Sequence, residues 1–241
     1  MPMTYDEQVL QIKHEIVSLG KHLYSEKMIV ATDGNISVRI TEHSFLITRS
    51  GICKGKMTID DILTVDLSGR VIEGVGNPSS ETRLHIVCYE ERDDIAAIVH
   101  AHPPTAVAFS IAGKSLAICV IPEVVVALGP VPTIPYITPT TQRIAESVRP
   151  VIRHADALML EKHGSVCVGA DLQTAAARLE KLEHSAEIML MAHQLGGVRT
   201  LAPTEIKELI ELRDEFNLGG RNPLCSSCIM GCFEGVPPME V

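Results

Sequence analysis

Ile95-Ala96-Ala97-Ile98-Val99-His100-Ala101-His102-Pro103-Pro104 is an apolar run that ends in two histidines and two prolines. Such a continuous run predicts a strand buried on both faces, stopped by the prolines, with a helix beginning behind them. Residues i and i+2 of a strand project to the same face, so His100 and His102 can converge on one ion at the strand's end. A second strand-like stretch, Ala157 to Leu160, leads into Lys162-His163-Gly164, and Val166 to Val168 continues beyond that turn. Gly164 is expected to let the backbone turn sharply, so that the His163 ring points back toward the pair.

Outward from these strands the chain alternates between the two periods. Val9, Ile12, Ile16 and Leu19 recur at helical spacing and predict an amphipathic helix ending near Gly20. Ile36, Val38 and Ile40 alternate with polar residues, Phe45 to Thr48 is a further strand, and Ser68-Gly69 forms a hairpin turn between Val65–Leu67 and Val71–Ile72. Leu84, Val87 and Cys88 predict a helix running to about Arg92. Asp171 is a plausible N-cap for a long helix to about Leu195, and Thr204 starts a last helix ending near Phe216. The sum is a single mixed α/β domain over residues 1–218, its central sheet covered by helices. Residues 219–241, rich in Gly, Pro, Cys and Ser, read as a flexible tail.

The 241 residues suit one domain, and with 46% apolar residues but no Trp the core must consist of Ile, Leu, Val, Ala and Met. A net charge of -9 argues against nucleic acid or an anionic membrane as partner, so an anionic substrate needs a local positive site. The apolar run from Ile118 to Leu128 is broken by Pro122 and Glu123 and is too short to span a bilayer. With no signal-peptide pattern, a soluble cytoplasmic protein is expected. Cys53, Cys88, Cys119 and Cys167 read as small core residues. Cys225, Cys228 and Cys232 have zinc or iron–sulfur ligand spacing without a complete four-ligand set, and an oxidisable tail is the alternative.

Three imidazoles leave a divalent metal its full charge and an open coordination position, which is the pattern of a catalytic site. Ser79-Ser80-Glu81 places two hydroxyls and free amides at a helix start, a setting for phosphate as well as for ordinary capping. Asp33-Gly34-Asn35 and Arg49-Ser50-Gly51 are turns that also form anion nests. His85, one helical turn after Glu81, faces either the same cleft or the core.

Taken together, Thr32-Asp33-Gly34-Asn35-Ile36-Ser37-Val38-Arg39, Thr48-Arg49-Ser50-Gly51, Pro78-Ser79-Ser80-Glu81, His100-Ala101-His102-Pro103 and Lys162-His163-Gly164 resemble, in order, the motifs of the class II aldolase/adducin family. The likeness covers about residues 5 to 217 and is to the family's fuculose-phosphate type of aldolase. It implies a Zn2+ site (Mn2+, Co2+ or Fe2+ being other candidates) on His100, His102 and His163, with Glu81 as catalytic acid/base. It assigns the substrate phosphate to Gly34, Asn35, Ser50, Gly51, Ser79 and Ser80, and it implies a homotetramer with interfacial active sites.

The expected reaction is cleavage of a ketose 1-phosphate to dihydroxyacetone phosphate and an aldehyde. Where these aldolases carry a tyrosine donated by a neighbouring subunit, this chain has Glu123, and Phe216 stands in for a second, C-terminal tyrosine. A carboxylate at that place resembles the methylthioribulose-1-phosphate dehydratases, which do not keep the Ser-Ser-Glu pattern. Glu123 reads equally as an ordinary capping residue after Pro122. Family alternatives are 4-epimerisation, dehydration and β-keto acid decarboxylation, and Glu81 favours the aldolase over the epimerase, whose corresponding residue is aspartate. An adducin-like non-enzymatic module would lack the three histidines.

Overall fold

Alternation along each strand decides which residues meet which helical layer. The computed structural model describes residues 3–216 and 218–222. In chain order these form α1 (Tyr5–Ser25), β1 (Asn35–Arg39), β2 (Ser44–Thr48), β3 (Ile62–Asp66), β4 (Val71–Glu73), α2 (Thr82–Glu91), β5 (Ala97–Ala101) and α3 (Pro104–Ile111). They continue with α4 (Pro122–Ala127), β6 (Thr133–Ile134), α5 (Gln142–Ile152), β7 (Ala157–Leu160), β8 (Gly164–Gly169), α6 (Leu172–Gln194) and α7 (Pro203–Glu215). The strands make one sheet in the order β4-β3-β2-β1-β5-β8-β7-β6, antiparallel except for the parallel β6–β7 pair.

The predicted central strand is β5, held between β1 and β8 with every residue buried. Ala97, Val99 and Ala101 join the core formed with α1, α3 and α6, while Ile98 joins the opposite core with α2 and α5. This double burial explains the unbroken apolar run. The domain is therefore the expected mixed α/β unit, with a mixed sheet flanked by helices on both faces. Among the described residues no helix is long and apolar enough to cross a membrane.

α1 corrects one expectation. A capping box between Thr4 and Glu7 opens it, and it runs through Gly20 to Ser25. Gly20 is buried, and a side chain there would run into Met57, with Lys54 close behind. The glycine allows helix and turn to approach closely and does not end the helix. α6 begins as expected, with Asp171 accepting from the Thr174 amide. α4, β6 and α5 are additions to the expected set. Pro150 sits near the end of α5, where few intrahelical bonds follow, and Ile144, Ala145, Val148 and Ile152 still bury one face.

After α7 the chain folds back onto the body. The Arg213 guanidinium donates to the carbonyls of Val126, Gly219 and Gly220, and Asn222 Nδ2 donates to Val125 O at 2.7 Å. Asp156, fully buried, accepts from Arg92 (2.8 Å), from Arg178 (2.6 Å) and from the Arg221 amide (2.7 Å). Cys88, Cys119 and Cys167 are buried and Cys53 half-buried. Cys225, Cys228 and Cys232 lie outside the described residues. Removing one partner of a buried ion network typically costs about 3–5 kcal/mol. Asp156→Ala should therefore lower unfolding stability on that scale, measured as a fall in the urea midpoint.

Candidate active site

His100 lies within β5, and His102 follows it with its amide bonded to Met28 O at 2.8 Å. His163 sits in the β7–β8 turn, where its amide donates to Leu160 O at 3.0 Å and the Lys162 amide donates to Ser110 Oγ at 3.0 Å. Gly164 is needed for a different reason from the expected one. The left-handed residue of the turn is Lys162 (φ 60°), and Gly164 has no positive φ. A Cβ on Gly164 would fall 2.5 Å from Ala101 O and 2.6 Å from the His102 ring. The glycine thus lets two strand ends come close enough for three imidazoles to meet. Their ring centroids are 4.9–5.1 Å apart, and their ligand atoms all lie within 4.8 Å of one another.

Donor and acceptor roles follow from the partners. His100 Nδ1 is 2.9 Å from Ser165 O, and a carbonyl can only accept, so in the neutral ring Nδ1 carries the proton and Nε2 offers a lone pair. That Nε2 faces the carboxylate acceptor Glu81 Oε2 at 3.0 Å and His102 Nε2 at 3.2 Å. Glu81 Oε1 and His163 Nδ1 are buried with no hydrogen-bond partner. Such crowding of lone pairs calls for a cation, and 3.2 Å is close to the edge of a nitrogen tetrahedron (about 3.3 Å) around zinc with bonds of about 2.0–2.1 Å. The residues fit a divalent ion.

The electrostatics agree. Burial, then the neighbouring charge of His100, pushes His102 down to about 3 and His163 down to about 4, which keeps both rings neutral as metal binding requires. Burial would also lower His100, but the Glu81 carboxylate raises it. Burial would raise Glu81, but His100, His163 and the Asn35 amide hold it well below the usual carboxylate range.

Glu81 occupies the N-cap position of α2 but makes no capping bond. A buried chain holds it instead. Asn35 Nδ2 donates to Glu81 Oε2 (3.0 Å), which turns Asn35 Oδ1 toward His85 Nε2 (2.5 Å). His85 Nε2 must then be the donor, so Nδ1 accepts from Ser37 Oγ (2.6 Å), and Ser37 in turn accepts from the Tyr89 hydroxyl (2.7 Å). Every donor points toward Glu81, fixing Oε2 as an acceptor and leaving Oε1 free beside His163. Burial drives His85 down to about 3, consistent with a neutral ring. Spacing from Glu81 placed His85 near the cleft. Ser37 and Tyr89 left no local signal, because their partners come from β1 and α2 and meet only in the fold.

The expected phosphate residues line one pocket with the histidines. Gly34, Asn35, Ser50, Gly51, Ser79 and Ser80 border it together with Glu81, His102 and His163. Gly34 has φ 69°, and a Cβ there would lie 2.9 Å from His100 O, so the first loop is seated directly on the histidine strand. The second loop is tied to the serine loop by Ser50 N to Asn77 O (2.9 Å) and by the Arg49–Pro78 bridge. Asn35 commits its side-chain carbonyl to His85 and an amide hydrogen to Glu81. Arg49 and Lys54 also line the pocket, and sequence reasoning did not single out either side chain. Glu123 is exposed in the first turn of α4 and is not among the lining residues; Phe216 is 67% exposed.

Residues 14–190 match the family of class II aldolase and adducin N-terminal domains. The chain is 33% identical over 179 residues to L-fuculose phosphate aldolase of Methanocaldococcus jannaschii, covering 74% of this chain and 96% of that protein. It is 30% identical over 201 residues to 3-oxo-tetronate 4-phosphate decarboxylase of Haemophilus influenzae, covering 82% of this chain and 95% of the relative. Among solved structures, L-fuculose-1-phosphate aldolase from Thermus thermophilus superposes with a TM-score of 0.69 at 35% identity, covering 77% of this chain and 95% of the other.

Two outcomes are expected from this geometry. Gly164→Ala should separate the strand ends and weaken zinc binding at least about tenfold, read by calorimetric titration of the metal-free protein, since metal sites depend on ligand geometry. Stability of the metal-free protein should fall as pH drops from about 6.5 toward 4. In that window the unfolded chain protonates His85, His102 and His163 while the fold refuses those protons down to about 3 or 4. Glu81 acts in the same sense below its ordinary value, whereas the raised His100 acts above 6.5. A urea midpoint no lower at pH 5 than at pH 7 would contradict this.

Proposed function

The chain belongs to the class II aldolase and adducin family, whose relatives named above are lyases. From that premise we propose that it is a metal-dependent aldolase. Its substrate is a ketose 1-phosphate of the fuculose-phosphate or 5-deoxy- or methylthio-pentulose type, cleaved to dihydroxyacetone phosphate and an aldehyde. The observation that carries this reading is a free Glu81 Oε1 beside three converging imidazoles, in the pocket bordered by both loops and the serines.

A divalent ion on His100, His102 and His163, zinc by its donor set, would supply a Lewis acid for the substrate's carbonyl and adjacent hydroxyl oxygens. The amides and hydroxyls around Gly34, Asn35, Ser50, Gly51, Ser79 and Ser80 seat the phosphate and so fix where C2 and C3 lie. As the C4 hydroxyl loses its proton the C3–C4 bond breaks, its electron pair passing to C3 and the neighbouring carbonyl. Glu81 Oε1 takes up a proton from solvent and passes it to C3. Glu123 of a neighbouring protomer in a cytoplasmic homotetramer takes the proton at the aldehyde end; its exposure on α4 is compatible with facing another subunit.

The likeness to the Haemophilus influenzae decarboxylase supports a second reading. Loss of CO2 from a 3-oxo-tetronate 4-phosphate also puts an electron pair on the carbon next to the ketone, and protonation there again yields dihydroxyacetone phosphate. The two readings share the phosphate seat and Glu81 and differ in the fragment that departs. Supplying ketose 1-phosphates and 3-oxo acid phosphates separately, and assaying dihydroxyacetone phosphate, aldehyde and CO2, decides between them. Aldehyde release that stops with a chelator is the expected result.

General acid–base groups contribute about 10²–10⁴-fold, so Glu81→Gln should lose rate on that scale while still binding metal. Glu123→Gln should lose turnover yet still exchange the C3 proton of dihydroxyacetone phosphate with solvent. Loss of that exchange, or full turnover in the variant, would show that the two carboxylates do not divide the work in this way.

A further inference from the structure

Lys54 is a buried cation whose charge the fold leaves uncompensated. Its side chain is 3% exposed, and Nζ donates to Thr32 O at 2.7 Å and to Ile52 O at 3.3 Å. Both acceptors are neutral carbonyls, and among the described residues Lys54 makes no ion pair. An ammonium has three N–H donors, so one remains beyond these two bonds. A buried charge without a partner is costly, and a structural link alone would be served as well by a neutral donor.

Its position says what would offset the cost. Thr32 belongs to the loop that runs into Gly34 and Asn35, and Ile52 to the loop carrying Ser50 and Gly51. Lys54 therefore ties together the two loops assigned to phosphate, and it lines the same pocket. The other arginine or lysine lining that pocket is Arg49, whose Nε is already paired with Asp61 at 2.6 Å. The charged and titratable groups acting on Lys54 are Asp33, Cys53 and Glu81. From α1, Gly20 and the Tyr24 ring pack on the same turn and bring no charge. Burial outweighs these attractions and pushes the ammonium down to about 8, the behaviour of a cation still lacking its anion.

We propose that Lys54 is the counter-charge for the substrate's phosphate, clamping the two loops together and giving its remaining N–H and its charge to the dianion. This rests on the phosphorylated-substrate reading above and adds to it the residue that selects for the charge. In a chain of net charge -9, a pocket for a dianion needs such a local source of positive potential.

The test uses the zinc-loaded protein with dihydroxyacetone phosphate and, as the uncharged control, dihydroxyacetone, both titrated at pH 7. Lys54→Met should weaken dihydroxyacetone phosphate at least about tenfold, the scale of a hydrogen bond to a charged group, and change dihydroxyacetone less than twofold. Lys54→Arg should recover part of the loss, because it restores the charge. Lys54→Gln keeps hydrogen-bonding capacity without charge and must show the same selective loss, which covers the case of a Met variant that does not fold. Wild-type affinity for the phosphate in either neutral variant overturns the proposal. So does an equal loss of both ligands with a lowered midpoint, which would make Lys54 a loop staple only. If the wild-type protein itself fails to prefer the phosphorylated ligand, the phosphorylated-substrate reading fails together with it.

Discussion

The close contact between the end of β5 and the β7–β8 turn is the constraint on which the rest of the site depends. Three imidazoles can meet only if two backbones approach to a distance at which Gly164 has no room for a side chain. The sheet makes the approach possible: β5 and β8 are neighbours, with Ala101 opposite Ser165, so the histidines at both ends start in register. Burial on both faces holds that register, since a slip of one residue would exchange Val99 and Ile98 between the two cores.

From this contact the polar architecture can be followed outward. Lone pairs crowd toward the centre of the cluster, and Glu81 adds a carboxylate without leaving the N-cap position of α2. The chain from Tyr89 through Ser37, His85 and Asn35 meets the need of a buried carboxylate for donors and at the same time fixes which oxygen is free. Buried polar groups are tolerated here because each link is satisfied. Among the described residues three buried side-chain atoms lack a partner: Glu81 Oε1 and His163 Nδ1 lie at the site itself, and Arg39 Nε lies beside the Tyr89 ring. The acidic chain concentrates positive character where the pocket requires it, through backbone amides and Lys54.

Much of this was legible in the residues themselves. The run from Ile95 to Val99, the helix after Asp171 and the hairpin at Ser68-Gly69 all appear where their periodicity and turn chemistry put them, because those signals are local. The separations between His100, His102 and His163 sufficed to suggest a common site once each lay at a strand end. α5 and the short α4 and β6 were not legible, since Pro150 and brief segments weaken a periodic pattern. Gly20 looked like a helix end because a glycine's need for close packing leaves the same mark on sequence as its freedom to turn.

What sequence alone determined, then, is most of the strands and helices, the placing of His100, His102 and His163 at strand ends, and the setting of Ser79-Ser80 beside Glu81. These follow from hydrophobic period and side-chain chemistry, which a linear chain displays directly. Tertiary structure alone decided that Ser37 and Tyr89 support Glu81, that Asn35 turns its amide inward, and that Lys54 joins two loops through neutral carbonyls. Each of those roles is a distance between residues on different elements, and hydrogen bonds and buried charge act through such distances, not through separation along the chain.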